Sequence, residues 1–355
     1  MRNPLITALI DTYNHELFIE DAINSVLSQG FSRSEIEILV VDDGSTDKTP
    51  EIVRKFAPLV RLIRKANGGQ ASAFNAGISQ SCGTIVAFLD GDDWWAPGKL
   101  AAVAQVFATD VSVGLVGHGI TVVYPSGHQR IEIPRQVCRF RLASIEAAKT
   151  FRLSRGFLGT SRMAYRKEIL SRIGHVPETL KFEADEYLFT LAGLFSDVMI
   201  LPKSLTFYRL HDSNLFQFTN GEPQAIRRKQ KILAALAESL ELKLMEYKVP
   251  FKIARVILDC VEVEANLLRL SVDRGFPWET VLTELRAMRV FHSDASMQQH
   301  LFSCFRLVPA LIFPSNTYYR WRSRLSGWAA YQKFRRKYFP FPVQSHVQRF
   351  EKPAP

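Results

Sequence analysis

The chain has 355 residues, enough for a sizeable core and for more than one domain, and its 47% hydrophobic and 23% charged content excludes a largely disordered protein. The formal charge of +10 is unevenly placed, with eight Lys or Arg and no acid between Arg306 and Lys337. No run approaches the ~18 to 20 apolar residues of a membrane span. The opening apolar run stops at Asp11 without a small-residue cleavage pattern, so a secretory signal is not expected. Cys82, Cys138, Cys260 and Cys304 match no zinc or redox spacing and are expected to be reduced, buried, small apolar groups, as in a cytoplasm.

In chain order, "LITALI" (Leu5 to Ile10) reads as a buried strand. The following "HELFIEDAINSVLSQ" places Leu17, Ile19, Ala22, Ile23, Val26 and Leu27 on one helical face. "EIEILVVDD" (Glu35 to Asp43) predicts a second strand, followed by a helix with Ser45 or Thr46 as its N-cap. "VRLIRK", "QASAFNAGISQS" and "TIVAFLD" continue the alternation as strand, helix and strand. Such β/α repetition predicts a parallel, helix-covered sheet. The stretch 111–210 reads as mixed, with short strands in "VGLVGHGITVVY", and beyond about Gly221 the pattern turns to long helices. The expected organisation is therefore an α/β domain over 1–220 and a helical, basic region over 221–355.

Ligands of open α/β sheets sit at the carboxyl ends of the strands. Asp11, Asp42, Asp43, Asp90 and Asp92 all fall there, which points to a shared polar crevice. In "FLDGDDWW", Asp90 and Asp92 lie one residue apart on a turn and can reach one hard divalent cation. Gly91 between them permits close approach. The competing reading is a solvated turn in which Asp92 or Asp93 caps a helix starting near Pro97. "VVDDGSTD" sets two more carboxylates at a strand end, able to accept from a base N–H or a ribose hydroxyl. Asp47, and Asp42 with it, also suit an Asx-type turn. Gly68 and Gly69 before a small-residue helix suit backbone approach to a ligand. Trp94 and Trp95 are candidates for the border of a sugar pocket, with at least one expected in the core.

The ordered segments "ALIDTYNHELFIEDAINSVLSQ", "EILVVDDGSTDKTPEIV", "NGGQASAFNAGISQSCGTIVAFLDGDDWWAPGKL" and "ADEYLFTLAGLFSDVMILPKSLTFYRLH" resemble the family 2 glycosyltransferases of GT-A fold across residues 4–215. The resemblance implies a Rossmann-like, mixed, mainly parallel sheet flanked by helices. It also implies an inverting transferase that takes a nucleotide-diphosphate sugar, most commonly of UDP, with Mn2+ or Mg2+ at the diphosphate. On that pattern Thr12, Tyr13, Asp42, Asp43, Gly69, Asp90 and Gly91 serve the nucleotide, with Asp43 reading the base. Asp90 and Asp92 hold the metal, with His211 of "YRLH" beside it, and Arg209 offers a charge to phosphate. Asp185 matches the catalytic base; relatives often carry Glu-Asp where this chain has Ala184-Asp185-Glu186, so Glu183 and Glu186 stay open as neighbours for that role. The mechanism itself asks for a carboxylate away from the metal to take the acceptor's proton.

The acceptor implied is a saccharide or lipid-linked saccharide, as in cell-surface polysaccharide or glycolipid synthesis. The alternatives are a non-catalytic nucleotide-sugar binder and a nucleotidyltransferase. Residues 305–337 mix cationic and aromatic side chains, a composition suited to an anionic membrane surface, with plain packing and nucleic-acid contact as competing uses. No nucleic-acid partner is expected. The expected location is cytoplasmic, peripheral on the inner face of the membrane.

Overall fold

The computed structural model describes residues 5–212, 214, 223–272, 275–291, 305, 307–327 and 343–348. In chain order the elements are β1(Ile6–Thr12), α1(Ile19–Leu27), β2(Ile36–Asp42), α2(Thr49–Arg54), β3(Val60–Arg64), α3(Gln70–Gln80), β4(Ile85–Asp90), β5(Trp94–Trp95), α4(Lys99–Thr109), β6(Val113–Val123), β7(Gln129–Pro134) and β8(Cys138–Phe140). They continue as α5(Ile145–Ser154), β9(Ala164–Arg166), α6(Lys167–Ile173), α7(Ala184–Phe195), β10(Asp197–Arg209), α8(Pro223–Glu246), α9(Phe251–Val272), α10(Trp278–Phe291), α11(Ser315–Gly327) and β11(Val343–Gln348). Two compact units result: Met1–Leu142 with Ser154–Leu215 and Pro342–Pro355, and Ala143–Leu153 with Phe216–Phe341.

The first unit is built on one mixed sheet of order β11-β7-β6-β9-β4-β1-β2-β3, with β10 pairing β6, β5 and β8. β1 is central and runs parallel to β2 and β4; β2 is parallel to β3, and β6 to β10. β9 runs antiparallel between β4 and β6. The expected α/β sheet with its parallel core is present. "VGLVGHGITVV" forms one eleven-residue strand, β6, instead of several short ones, because β10 accompanies it along its length and absorbs the irregularities as register shifts.

Alternation along β1 explains the layers. Ile6, Ala8 and Ile10 join a core with Ile19, Ala22 and Ile23 of α1, Val53 of α2 and Leu100, Val103 and Phe107 of α4. On the other face, the rings of Phe74 (α3), Phe88 (β4) and Tyr165 (β9) meet edge to face, at 4.9 and 5.6 Å. α3 sits so close to β1 that a Cβ on Gly77 would lie 2.4 Å from a Leu9 methyl. Leu17 departs from its expected place: it precedes α1 and is exposed.

Two expected caps are also different. α2 starts at Thr49 with no side-chain cap, because the β1–α1 loop claims the candidates: Asn14 N donates to Ser45 Oγ (2.8 Å) and Thr46 N donates to Asn14 Oδ1 (2.8 Å). The Asx-type turns are formed, with Ser45 N donating to Asp42 Oδ1 (2.9 Å) and Thr49 N to Asp47 Oδ1 (3.0 Å). Neither Asp92 nor Asp93 caps α4, whose N-cap is Gly98 in the left-handed region at φ 79. Among the cysteines only Cys260 is buried as expected; Cys82 is exposed and Cys138 half-buried, and Cys304 lies outside the described residues. In the second unit, Leu270, Val281, Ala310 and Tyr318 form a small core among α9, α10 and α11. Among the described residues, no helix is long and apolar enough to cross a membrane.

Trp95 fixes the edge of the crevice. It is buried, its backbone N donates to Ser25 Oγ (3.0 Å) and its indole Nε1 donates to Ser161 O (3.0 Å). The buried Lys99 ammonium lies 3.6 Å from its ring centroid, and burial pushes the Lys99 pKa well down. Trp95→Phe is expected to cost about 1 kcal/mol, one hydrogen bond, and Trp95→Ala about 3–5 kcal/mol. Urea denaturation checks both, and an Ala variant within 1 kcal/mol of the parent would contradict this packing.

Candidate active site

Register places the acids. Asp11 of β1 pairs directly with Asp90 of β4, and Thr12 with Asp42 of β2, so the three parallel strands end level with one another. Beyond β4, Gly91 N donates to Asp11 O (2.9 Å), and a Cβ on Gly91 would lie 2.6 Å from Thr12 Oγ1 and 2.8 Å from His15 Nδ1. The glycine therefore lets the Asp90–Asp93 turn lie against the end of β1. One carboxylate oxygen from each of Asp90, Asp92 and Asp93 falls within 4.8 Å of the others.

Each member is held differently. His211 Nε2 lies 3.0 Å from Asp92 Oδ2, Asn214 Nδ2 donates to the same oxygen at 3.3 Å, and His15 Nε2 lies 3.8 Å from it. Burial alone would raise Asp92, but the His211 hydrogen bond and the two imidazoles outweigh it and hold its carboxyl below the usual range. Asp93 accepts from Ser161 Oγ (2.6 Å) and Arg209 N (3.0 Å). Burial, then the charge of Asp92, pushes Asp93 well up. Asp90 is pushed well up by burial, then by Asp11 and Asp92. Asp11 has an enclosed Oδ1 with no hydrogen-bond partner among the described residues, and burial followed by Asp92 raises it well above the carboxylate range.

Asp185 stands at the start of α7, after Glu183 in the left-handed region at φ 64. Its Oδ2 faces Thr160 N (3.2 Å) and Thr160 Oγ1 (3.4 Å), and its Oδ1 accepts from Glu186 N (2.9 Å). Burial raises its pKa, against these hydrogen bonds and the charge of Arg162. Thr160 is followed by Ser161, whose hydroxyl lies 3.2 Å from Asp90 Oδ2 as well as binding Asp93. Two consecutive residues thus tie Asp185 to the strand-end acids. Gln70 steadies the same region, donating to Thr160 Oγ1 (3.1 Å) and accepting from Ala184 N (3.0 Å). Of Asp185's neighbours, Glu186 forms an ion pair with Arg155 and Glu183 is buried.

The nucleotide candidates form an adjoining patch. Asp43 N donates to Thr12 O (2.9 Å), and the Asp43 carboxylate accepts from Gly68 N (3.0 Å), Gly69 N (2.7 Å) and Lys65 Nζ (2.6 Å). Asp42 pairs with Arg64 (3.1 Å), and Tyr13 is exposed. Gly69, at φ 86, is needed for close approach to the chain itself: a Cβ there would lie 2.8 Å from Lys181 Cα. Trp95 is core, whereas Trp94 stacks on Phe207 at 5.1 Å. Arg209 is committed elsewhere, its guanidinium between the rings of Phe18 and Trp94 and bonded to Asp21 (2.6 Å). His15, Ser161 and Arg162 were not singled out by sequence, Asp93 was weighed only as a helix cap, and Asp11 was noted only as a strand-end acid. Asp93 had a signal in its adjacency to the DxD, whereas Ser161 and Arg162 reach the site from a turn some seventy residues away.

The donor set fits a hard divalent cation. It consists of carboxylate oxygens at mutually compatible spacing, with more negative charge than the surrounding side chains neutralise.

Comparison with known proteins agrees with this architecture. Residues 7–174 match the family model described as Glycosyl transferase family 2. A Nostoc sp. protein named uncharacterized glycosyltransferase alr2836 is 33% identical over 216 residues, 59% of this chain and 66% of its own. The Bacillus subtilis uncharacterized glycosyltransferase EpsJ is 31% identical over 222 residues, 60% of this chain and 63% of its own. The matches thus span about two-thirds or less of these relatives' lengths. In fold, the mannosyltransferase PcManGT from Pyrobaculum calidifontis, solved with GDP-Man and Mn2+, superposes with a TM-score of 0.53 at 18% identity, covering 95% of this chain and 88% of that one. Residues 7–174 of the chain belong to glycosyltransferase family 2.

Crowded carboxylates make a stability prediction. Asp11→Asn is expected to raise stability at pH 8 in chelator, because it removes a carboxylate whose folded pKa lies above its unfolded one. The sign follows: the penalty is full above the folded pKa, shrinks as pH falls through it and vanishes below the unfolded value. Thermal denaturation from pH 8 to pH 4 should therefore show the variant's advantage disappearing, and an advantage independent of pH would count against the assignment.

Proposed function

We propose that the chain moves a sugar from a nucleotide-diphosphate donor to an acceptor hydroxyl with inversion, with the chemistry carried by residues 1–220. The observation that supports it most is the pairing of two functions through Thr160 and Ser161: a cation-binding cluster on one side and a separate, buried carboxylate, Asp185, on the other. A metal-assisted displacement requires that separation, since a base within the cluster would bind the cation instead of the acceptor.

Asp90, Asp92 and Asp93, with His211 beside Asp92, would hold Mn2+ or Mg2+, whose charge, when bound, offsets the negative charge that develops on the departing diphosphate. Asp185 takes the acceptor's proton as its oxygen forms the bond to the anomeric carbon and the bond to the diphosphate breaks. Thr160 orients the Asp185 carboxylate, and burial keeps it more basic than a solvated aspartate, which suits proton abstraction near neutrality. Asp43, whose carboxylate is oriented by the Gly68 and Gly69 amides and by Lys65 Nζ, keeps at most one lone-pair direction for a base N–H, with Thr12 and Tyr13 at the same pocket. The donor read from the family pattern is a UDP-sugar, and the acceptor a saccharide or lipid-linked saccharide of the cell surface.

Two measurements test this. UDP with Mn2+ should raise the melting temperature more than either alone, by mass action on the folded state, with GDP as the competing nucleotide. Equal shifts for every nucleotide without metal dependence would sink the donor assignment. Asp185→Asn should lower kcat of donor hydrolysis or transfer about 10²–10⁴-fold while leaving the UDP and Mn2+ thermal shift in place. A parent protein that binds UDP but turns nothing over would make the chain a nucleotide-sugar binder.

A further inference from the structure

Half of the large apolar side chains that stand exposed among the described residues lie between Phe276 and Tyr319, within the second unit. Local packing explains their orientation. Val281, Ala310 and Tyr318 fill the small core, so their chain neighbours Leu282, Leu311 and Tyr319 turn outward. On α10, Trp278, Leu282 and Leu285 recur at i, i+4 and i+7 and so share one helical face. Trp278 is 50% exposed and Leu282 65%. Ser315 donates to Gly275 O from both its backbone N (2.8 Å) and its Oγ (2.7 Å), which fastens the start of α11 beside Phe276, whose ring lies 6.2 Å from Trp278. Ile312, 66% exposed, precedes that fastening by three residues.

Among the described residues, exposed arginines border this strip, and the acids of α10 are paired or buried. Arg320 and Arg324 are exposed on α11, and no acid occurs from Arg306 to Lys337. Of the acids on α10, Glu279 is paired with Arg269 and Glu284 is buried. Apolar and aromatic side chains bordered by unneutralised arginine suit a headgroup boundary, where rings sit among the lipids and cations meet lipid phosphates. A symmetric dimer through the same strip would set each cationic stretch near its own copy, which disfavours self-association. We propose that the exposed side chains of Trp278, Leu282, Leu285, Ile312 and Tyr319, with those of Arg320 and Arg324, form a docking surface for an anionic lipid bilayer. This goes beyond the transferase reading and does not depend on it.

Sedimentation of the full chain with extruded vesicles tests the proposal. Vesicles of phosphatidylcholine and phosphatidylglycerol in about a two-to-one ratio should bind the protein at least tenfold more than pure phosphatidylcholine, since each cation near such a surface contributes about fivefold. High salt should weaken binding. Arg320→Glu with Arg324→Glu should lower partitioning about tenfold or more, and so should Trp278→Ser with Ile312→Ser. Circular dichroism of both variants checks that the helices persist; if the apolar pair unfolds, the arginine pair carries the test. Equal binding to both lipid mixtures, no binding at all, or a dimer in lipid-free buffer that Trp278→Ser with Ile312→Ser dissociates would overturn it. Because no donor is needed, failed turnover with intact vesicle binding would count only against the transferase reading.

Discussion

A carboxylate withdrawn from water is unfavourable unless an opposite charge or a set of donors answers it, and the ends of β1 and β4 gather Asp11, Asp90, Asp92 and Asp93 in one place. The protein answers only part of that charge. His211, His15 and Asn214 attend Asp92, and Ser161 and a backbone amide attend Asp93, while Asp90 has the Ser161 hydroxyl at 3.2 Å against the charges of Asp11 and Asp92, and Asp11 Oδ1 has no hydrogen-bond partner among the described residues. The rest of the first unit serves to hold this unbalanced group in position. Parallel register brings the strand ends level, and two helical layers keep the strands from relaxing apart.

The second constraint is how Asp185 is kept near that cluster but outside it. The turn through Thr160 and Ser161 crosses the strand ends and gives one residue to each side. Trp95 supports the turn from beneath by donating to Ser161 O, and Thr206 donates to the same oxygen at 2.7 Å. Packing around a single carbonyl therefore helps to set how Asp185 stands relative to the strand-end acids.

Much of this was legible in the sequence. Apolar runs ending in acid announce parallel strands with a crevice at their tips, and the ordered motifs point to the family and its fold. The position of His211 beside the strand-end acids follows from the same motifs, whereas Gly68 and Gly69, read as approaching a ligand, donate their amides to Asp43. What escaped notice depends on contacts between distant segments. Ser161 has no local pattern that marks it, because its value comes from a turn that lies across strands seventy residues earlier. Arg209 looked available for phosphate, yet its guanidinium is held between two rings that the chain brings together only on folding. Ser45 and Thr46 had the right identity for a cap, but Asn14 of the preceding loop engages both, its backbone N donating to Ser45 Oγ and its Oδ1 accepting from Thr46 N.

The tight seat of Gly91 against Thr12 and His15 joins two tasks that could have been separate. On the proposed roles, recognition of the nucleotide and capture of the ion share one small piece of backbone, so neither can be retuned there without disturbing the other. Altered preference for a different sugar or base would have to arise from side chains lining the rim, leaving this hinge between the two pockets as it is.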